Sequence, residues 1–356
     1  MKYLKTTLIQ FSILAFCYGQ SSAFFEFNTS RYARVVSLGN AFTGLADDIE
    51  TVYYNSAGLA NLDYYSVAYS RGQGFAFITN DYVADNIAVL IPVFDRIGKI
   101  ALSLDRLDYE FDDYSESLFR LHYAKKIFKN LSIGTSINFY HLSADSYTEV
   151  SDPGSNDRQF TGNAFDISVS ALYSMPVRFI PGIYNESRIG FQMQNLFDTE
   201  IHYSNELPSE SKYQTFRAGI STIMIPKFPK INSLNPLKVI IVADAVFYGS
   251  NYNFDVWQPN YGIEIKIFEI LNLRYGRENE EEIKNYYDYS PQHPVSRYGF
   301  GVEFPIHKFI SEYERLMLSF DYSYSDWDKL DESKPFGISN DLPNRESYSI
   351  KLLLQF

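Results

Sequence analysis

The strongest constraint on this chain is a hydrophobic alternation of period two that returns in segment after segment. The last ten residues, "SYSIKLLLQF", place Tyr348, Ile350, Leu352, Leu354 and Phe356 at every second position. "LSIGTSINFYHL" sets Leu131, Ile133, Ile137 and Phe139 against Ser132, Gly134, Ser136 and Asn138. "NYGIEIKIF" sets Tyr261, Ile263, Ile265 and Ile267 against Gly262, Glu264 and Lys266. "SRIGFQMQN" and "RLMLSFDYSYS" do the same. Successive side chains of a strand point to opposite faces, so each segment reads as a strand whose two faces meet different surroundings.

Fourteen such segments follow the N-terminal region, near 63–71, 84–93, 97–107, 115–126, 131–142, 162–174, 187–195, 212–224, 237–248, 258–267, 270–278, 295–304, 314–324 and 346–356. Most approach the roughly 9–11 residues that carry a tilted strand across a bilayer, and the count is even. The connections alternate in character. One set is short or Pro-rich and basic, as in "FDRIG", "KIFKN" and "FPIHKF". The other is mostly longer and more acidic or polar, as in "SADSYTEVSDPGSNDRQ" and "ENEEEIKNYYDYSPQH". An up-and-down barrel needs this pattern, with periplasmic turns at one rim and extracellular loops at the other. A soluble β-sandwich would pack its apolar faces on a second sheet. Fourteen strands with charged residues on the opposite face fit that arrangement poorly.

Composition narrows the class. The 356 residues suffice for one or two soluble domains or one large barrel. A formal charge of −12 argues against a nucleic-acid partner. Aromatics make up 17%, almost all from 30 Tyr and 29 Phe, and such rings suit membrane interfaces. Lys2 and Lys5, the apolar run from Leu8 to Tyr18 and the small residues "GQSSA" read as a secretory signal cleaved after Ala23. Cys17, the only cysteine, lies inside it, so a cleaved chain has no thiol chemistry. No later stretch approaches the roughly 20 apolar residues of a membrane helix.

The reading is therefore all-β: a 14-stranded antiparallel transmembrane β-barrel in the outer membrane of a Gram-negative cell. Residues 1–23 form the signal peptide, 24–62 an N-terminal plug or hatch inside the lumen, and 63–356 the barrel. Backbone groups cannot stay unpaired in hydrocarbon, so the last strand must pair with the first. Phe356 closes that last strand as a C-terminal insertion signal. The expected partners are outer-membrane lipid and the barrel-insertion machinery.

Parity along the strands gives an inward set: Asp105, Arg120, His122, Asp166, Arg217, Asp244, Glu264, Lys266, Arg274, Glu303 and Asp321. The signs are mixed. Ion pairs and waters filling the lumen are one reading, and a charged constriction on a substrate path is the other. The same row carries Leu172, Ile240, Val242, Val246 and Met317, which suit an amphipathic ligand or an internal plug.

Residues 30–63, "SRYARVVSLGNAFTGLADDIETVYYNSAGLANLD", lack the alternation. They read as short helical turns and tight loops punctuated by Gly39, Gly44 and Gly58. A segment this small cannot bury a core alone and must pack on something. It resembles the start of PorV/PorQ-type proteins, members of the wider FadL-like outer-membrane family. The matches are Ala33-Arg34, Gly39, Ala41-Phe42, Leu45-Ala46-Asp47-Asp48, Tyr53, Asn55 and Ala57-Gly58-Leu59. Ser56 stands where the family usually has proline, so the turn loses a fixed φ. "QNLFD", Gln194 to Asp198, resembles a second family motif without its glycine.

The resemblance implies a fourteen-stranded barrel with an N-terminal hatch. It also implies one of two roles. The first is a type IX secretion accessory that binds a secreted cargo protein. The alternative is a FadL-like channel taking up long-chain fatty acids or other hydrophobic molecules. An enzyme is not expected. His141 and Ser143 resemble the His-x-Ser pair of outer-membrane phospholipases, but sequence assigns no supporting Asn. The remaining histidines, His122, His202, His293 and His307, lack metal-ligand spacing, and no cofactor is expected. "RGQGFAF" holds only two glycines of a dinucleotide motif.

Overall fold

The computed structural model describes residues 32–76, 80–92, 97–109, 114–144, 160–177, 182–204, 209–230, 234–250, 253–280, 293–308, 315–327 and 345–355. The expected signal peptide and Phe356 lie outside the described residues.

The described residues form sixteen strands. The first seven are β1 (Tyr65–Ala76), β2 (Asn80–Ile91), β3 (Lys99–Tyr109), β4 (Tyr114–Phe128), β5 (Leu131–Ala144), β6 (Phe160–Val177) and β7 (Ile183–Gln194). Two short ones come next, β8 (Glu200–Tyr203) and β9 (Glu210–Ser211). Then come β10 (Gln214–Pro226), β11 (Leu237–Ser250), β12 (Asn253–Ile267), β13 (Leu271–Glu280), β14 (His293–Phe304), β15 (Arg315–Trp327) and β16 (Arg345–Gln355). Each of the fourteen segments expected from the alternation overlaps one long strand. The loop expected after β7 instead carries β8 and β9.

The fourteen long strands form one closed antiparallel barrel. β1 pairs with β16 from Tyr65 and Leu354 to Gly72 and Ser347, which removes both edges. Closure divides every strand into two rows. Val67, Leu102, Ile133, Phe191, Ile241, Leu273 and Phe320 are exposed on the outer row, as a lipid-facing surface requires. Outward aromatics stack across strands: Tyr322 lies 5.3 Å from Tyr348 and 5.5 Å from Phe300, between ring centroids. No helix among the described residues is long and apolar enough to cross a membrane.

At one rim β12 and β13 are joined by a tight turn. Phe268 and Glu269 both take positive φ, 52° and 56°, and Ile270 N–H donates to Ile267 O at 3.0 Å. Ala144, Phe160, Glu280, His293, Trp327 and Arg345 are strand ends at the other rim.

Residues 32–64 fold as helix α1 (Ala33–Ser37), helix α2 (Thr51–Tyr54) and a 3-10 helix (Ser56–Asn61). They run across the interior. α1 contacts β13, β14, β15 and β16, whereas the 3-10 helix contacts β3 to β6 on another part of the wall. Val35, Leu38, Phe42, Leu45 and Ile49 are buried with the inward-facing Leu90, Ile240, Val242 and Leu353. Each such side chain contributes about 1.5–3 kcal/mol on burial. The segment thus gains from the barrel a core it could not form alone.

Candidate functional site

The charged residues of the N-terminal segment and the inward row close into a ring. Arg34 sits in α1 and is 3% exposed. Its Nη2 lies 2.8 Å from Glu264 Oε2, and its Nη1 2.7 Å from Asp47 Oδ1 and 2.8 Å from Asp48 Oδ2. Glu264 Oε1 accepts from Arg274 Nε at 3.2 Å. Arg274 Nη1 reaches Asp321 Oδ1 at 2.6 Å, and Lys351 Nζ lies 3.4 Å from Asp321 Oδ2. Lys351 then returns to Asp48 Oδ2 at 2.9 Å. The six charges alternate in sign around the ring Arg34, Glu264, Arg274, Asp321, Lys351 and Asp48. Lys266 joins from the side, 2.5 Å from Glu303 and 3.6 Å from Glu264. Buried charges persist when each is paired, which this ring achieves.

Two carboxyls of the segment respond to it in opposite ways. Burial pushes Asp47 up, but the Arg34 guanidinium, together with Lys238 and Arg188, outweighs it and leaves it well below the usual carboxylate range. Burial also pushes up Glu50, and Lys351 only partly offsets it beside Asp48 and Asp321. The Glu50 carboxyl is raised to about 8.

The other motif residues set the backbone. Asp244 Oδ2 accepts from the backbone N–H groups of Phe42 and Thr43, at 2.9 and 2.8 Å. Asn55 donates to Thr43 O at 2.8 Å and to Ala171 O in β6 at 3.0 Å. Gly39 has φ +68°, and Gly58 packs on Ala46. Close approach also needs glycine in the wall. A Cβ on Gly190 would stand 1.9 Å from Thr43 O, and one on Gly276 would stand 2.1 Å from Gly39 N.

The remaining inward candidates line the next layer. Arg120 pairs with Asp105 and lies 4.0 Å over the Tyr53 ring. His122 stands between Ser56 Oγ at 3.0 Å and Ser103 Oγ at 3.1 Å, which joins the segment to the wall. Asp166 accepts from Asn138 and lies 3.0 Å from Lys212 Nζ. Arg217 lies 5.0 Å over the Tyr54 ring. Leu172, Ile240, Val242 and Val246 are buried, and Met317 packs partly buried against the same core.

Toward the other rim one sector of the interior, lined by β2 to β6 and β8, is apolar. Leu107, Leu118, Tyr140, Leu142, Ala164 and Ile201 form one buried cluster, with Tyr114 and Tyr203 beside it. Ile201 belongs to β8, not to a long strand. The wall is irregular at this level. β6 pairs with β7 only from Val169 to Val177, while its other end pairs with β8 through Gly162 with Tyr203 and Asn163 with His202. Among the described residues, Ala164, Phe165 and Asp166 have no ladder partner on that side. The facing chain is "QNLFD", where Asn195 and Asp198 take positive φ of 54° and 52°. Phe197 is 66% exposed outside, and Ile201 is fully buried within.

On the outer wall His141 Nδ1 lies 2.9 Å from Asn163 Oδ1. Sequence offered no means of finding that Asn, because it stands on the neighbouring strand. Sequence reasoning also passed over Lys351, Glu50, Lys212 and Ile201. Lys351 was legible as a charge at an inward position of the last strand. Ile201 had no signal, being an isolated apolar residue in a polar loop. Among the described residues no group of three or more His, Cys, Asp or Glu could hold a metal ion.

No protein-family model and no curated protein matches this sequence. Solved structures do resemble the fold. The toluene transporter TbuX of Ralstonia pickettii superposes with a TM-score of 0.50 at 10% identity, over 93% of this chain and all of that one. A FadL homologue of Pseudomonas aeruginosa gives 0.48 at 12% identity, over 91% and 98%. The toluene transporter TodX of Pseudomonas putida gives 0.48 at 8% identity, over 92% and 98%. At these identities the likeness is one of fold.

Proposed function

We propose that this chain is an outer-membrane channel for hydrophobic small molecules, FadL-like in kind. One observation carries the reading. A buried apolar cluster lies inside the barrel beside the one stretch of β6 that its neighbour leaves unpaired. A water-filled pore would carry polar residues there. A hydrocarbon entering from the extracellular rim would leave water for the cluster and then pass through the wall into the membrane. The irregular stretch from Gln194 to Ile201 is its way out, with β8 moving to let it pass. The N-terminal segment acts as a plug, closing the periplasmic half against ions while the lateral route stays usable. The fold shared with a toluene transporter supports the same reading.

A second reading rests on the N-terminal motif alone. Arg34, Gly39, Phe42, Asp47, Asp48, Asn55 and Gly58 match the PorV/PorQ pattern, and a type IX accessory would present its loops to cargo protein. Contacts of these residues inside the barrel hold the segment, and that use is common to both roles.

Uptake separates the two. Cells lacking their own hydrocarbon channels should take up labelled toluene or 1-dodecanol faster when they express this protein. Uptake at the empty-vector rate, with the protein folded in the membrane, removes the channel reading. Co-purification with a type IX cargo C-terminal domain would then favour the second.

A further inference from the structure

We infer that Asp105 and Asp166 are specificity-determining residues that exclude carboxylate-bearing ligands from the apolar cluster; this deepens the channel reading and rests on it. A fatty acid and the alcohol of equal length differ little in the tail. Moving an ionised carboxylate out of water is far more costly unless a cation receives it. Discrimination therefore depends on whether the interior offers a cation.

Two cations flank the cluster, and each already holds a protein carboxylate. Lys212 is 5% exposed, with Nζ 3.0 Å from Asp166 Oδ2 and 4.4 Å over the ring of Tyr140, itself a cluster member. Arg120 pairs with Asp105 and lies over Tyr53. The acids hold further bonds that fix them. Asn86 Nδ2 donates to Asp105 at 2.8 Å, and Asn138 donates to Asp166.

A third carboxylate stands beside the cluster. Glu116, also buried, faces Leu107 on β3 and Leu142 on β5 across the ladders, and accepts from Tyr114 Oη at 2.6 Å. Among the described residues, Lys212 and Arg120 thus each face a carboxylate beside the cluster. Deeper in, Arg34, Arg274 and Lys351 belong to the closed ring, and Arg297 is held by Glu278 at 2.5 Å. At Arg120 and Lys212 an incoming carboxylate would have to displace an acid already fixed by further bonds. An uncharged hydrocarbon or alcohol meets no such competition.

The ion pairs also explain how the same scaffold could be switched. Replacing Asp166 with Asn keeps its size and frees Lys212 as a carboxylate receptor at the edge of the cluster. Asp105→Asn does the same for Arg120.

The test compares labelled 1-dodecanol with dodecanoate in cells that lack their own channels and express the full chain. The expected result is dodecanol uptake several-fold above empty vector, dodecanoate uptake at the empty-vector rate, and a several-fold gain in dodecanoate uptake for Asp166→Asn. Equal uptake of both compounds by the wild type overturns the filter and leaves the channel reading standing. So does a folded Asp166→Asn variant with no gain. Uptake of neither compound overturns the channel reading and the filter with it. Should Asp166→Asn fail to assemble, judged by heat-modifiable migration, Asp105→Asn gives the same readout on Arg120.

Discussion

Lys351 on the last strand donates to Glu50 of the N-terminal segment at 2.7 Å, joining residues 301 positions apart. The bond ties the segment to the strand that closes the barrel. Glu50 is also raised from the usual 4.5 to about 8 by burial, with Asp48 and Asp321 nearby. The docked segment therefore keeps a proton that a solvated segment releases. Between pH 4.5 and pH 8 the undocked form binds fewer protons, so docking weakens as pH rises through that window. Below 4.5 both forms hold the proton, and the full effect is present. Limited proteolysis of residues 32–64 should be slow at pH 5 and faster at pH 8.5. Glu50→Gln should flatten that rise. A wild-type segment equally resistant at both pH values would remove the assignment.

Arg34 supports three carboxylates at once, Asp47, Asp48 and Glu264. Arg34→Met leaves them buried without their common partner. Breaking a buried pair from one side costs about 3–5 kcal/mol. The variant should show a protease-sensitive segment, with the outer barrel still heat-modifiable. Arg34→Lys should recover only part of the loss, because one ammonium cannot span three acids as a planar guanidinium does. Full recovery with Lys would mean that charge alone matters.

Gly190 marks where the wall yields to the segment. Its Cβ would meet Thr43 O at 1.9 Å, a backbone atom that cannot rotate away. Gly190→Val therefore disfavours the docked segment and leaves the β7 pairing with β10 intact. Planar-bilayer recordings should show a larger ion conductance than wild type. The same low conductance in both would mean that the segment does not block the lumen.

The barrel was open to sequence reading because its physics is local. Water and lipid on opposite faces impose period two on every strand, and that repeat marked all fourteen. Parity also placed Arg120, Asp244, Glu264 and Asp321 on the inner row. What parity cannot supply is partnership. Arg34 and Glu264 lie 230 positions apart, and their pairing depends on the path of the N-terminal segment across the interior. The short strand β8 was hidden for another reason. Four residues in a polar loop carry too short a repeat to register, and Ile201 becomes significant only beside Leu107 and Leu142.

That hidden element gives the most direct test of the route. β8 is held to β6 by two ladder pairs, Gly162 with Tyr203 and Asn163 with His202, against nine between β6 and β7. This weakly paired strand carries Ile201 into the cluster. Cysteines at positions 163 and 202 would face each other across an antiparallel pair, whose Cα separation of about 4.5–5.5 Å suits a disulfide. Cys17 lies in the expected signal peptide, so the engineered pair would be the sole thiols of a processed chain. Oxidised Asn163→Cys/His202→Cys protein should lose hydrocarbon uptake, and a reductant should restore it. Each single-cysteine variant should respond to neither treatment. Uptake that continues through a fully oxidised pair would mean that the ligand leaves by another path, and that β8 is fixed wall.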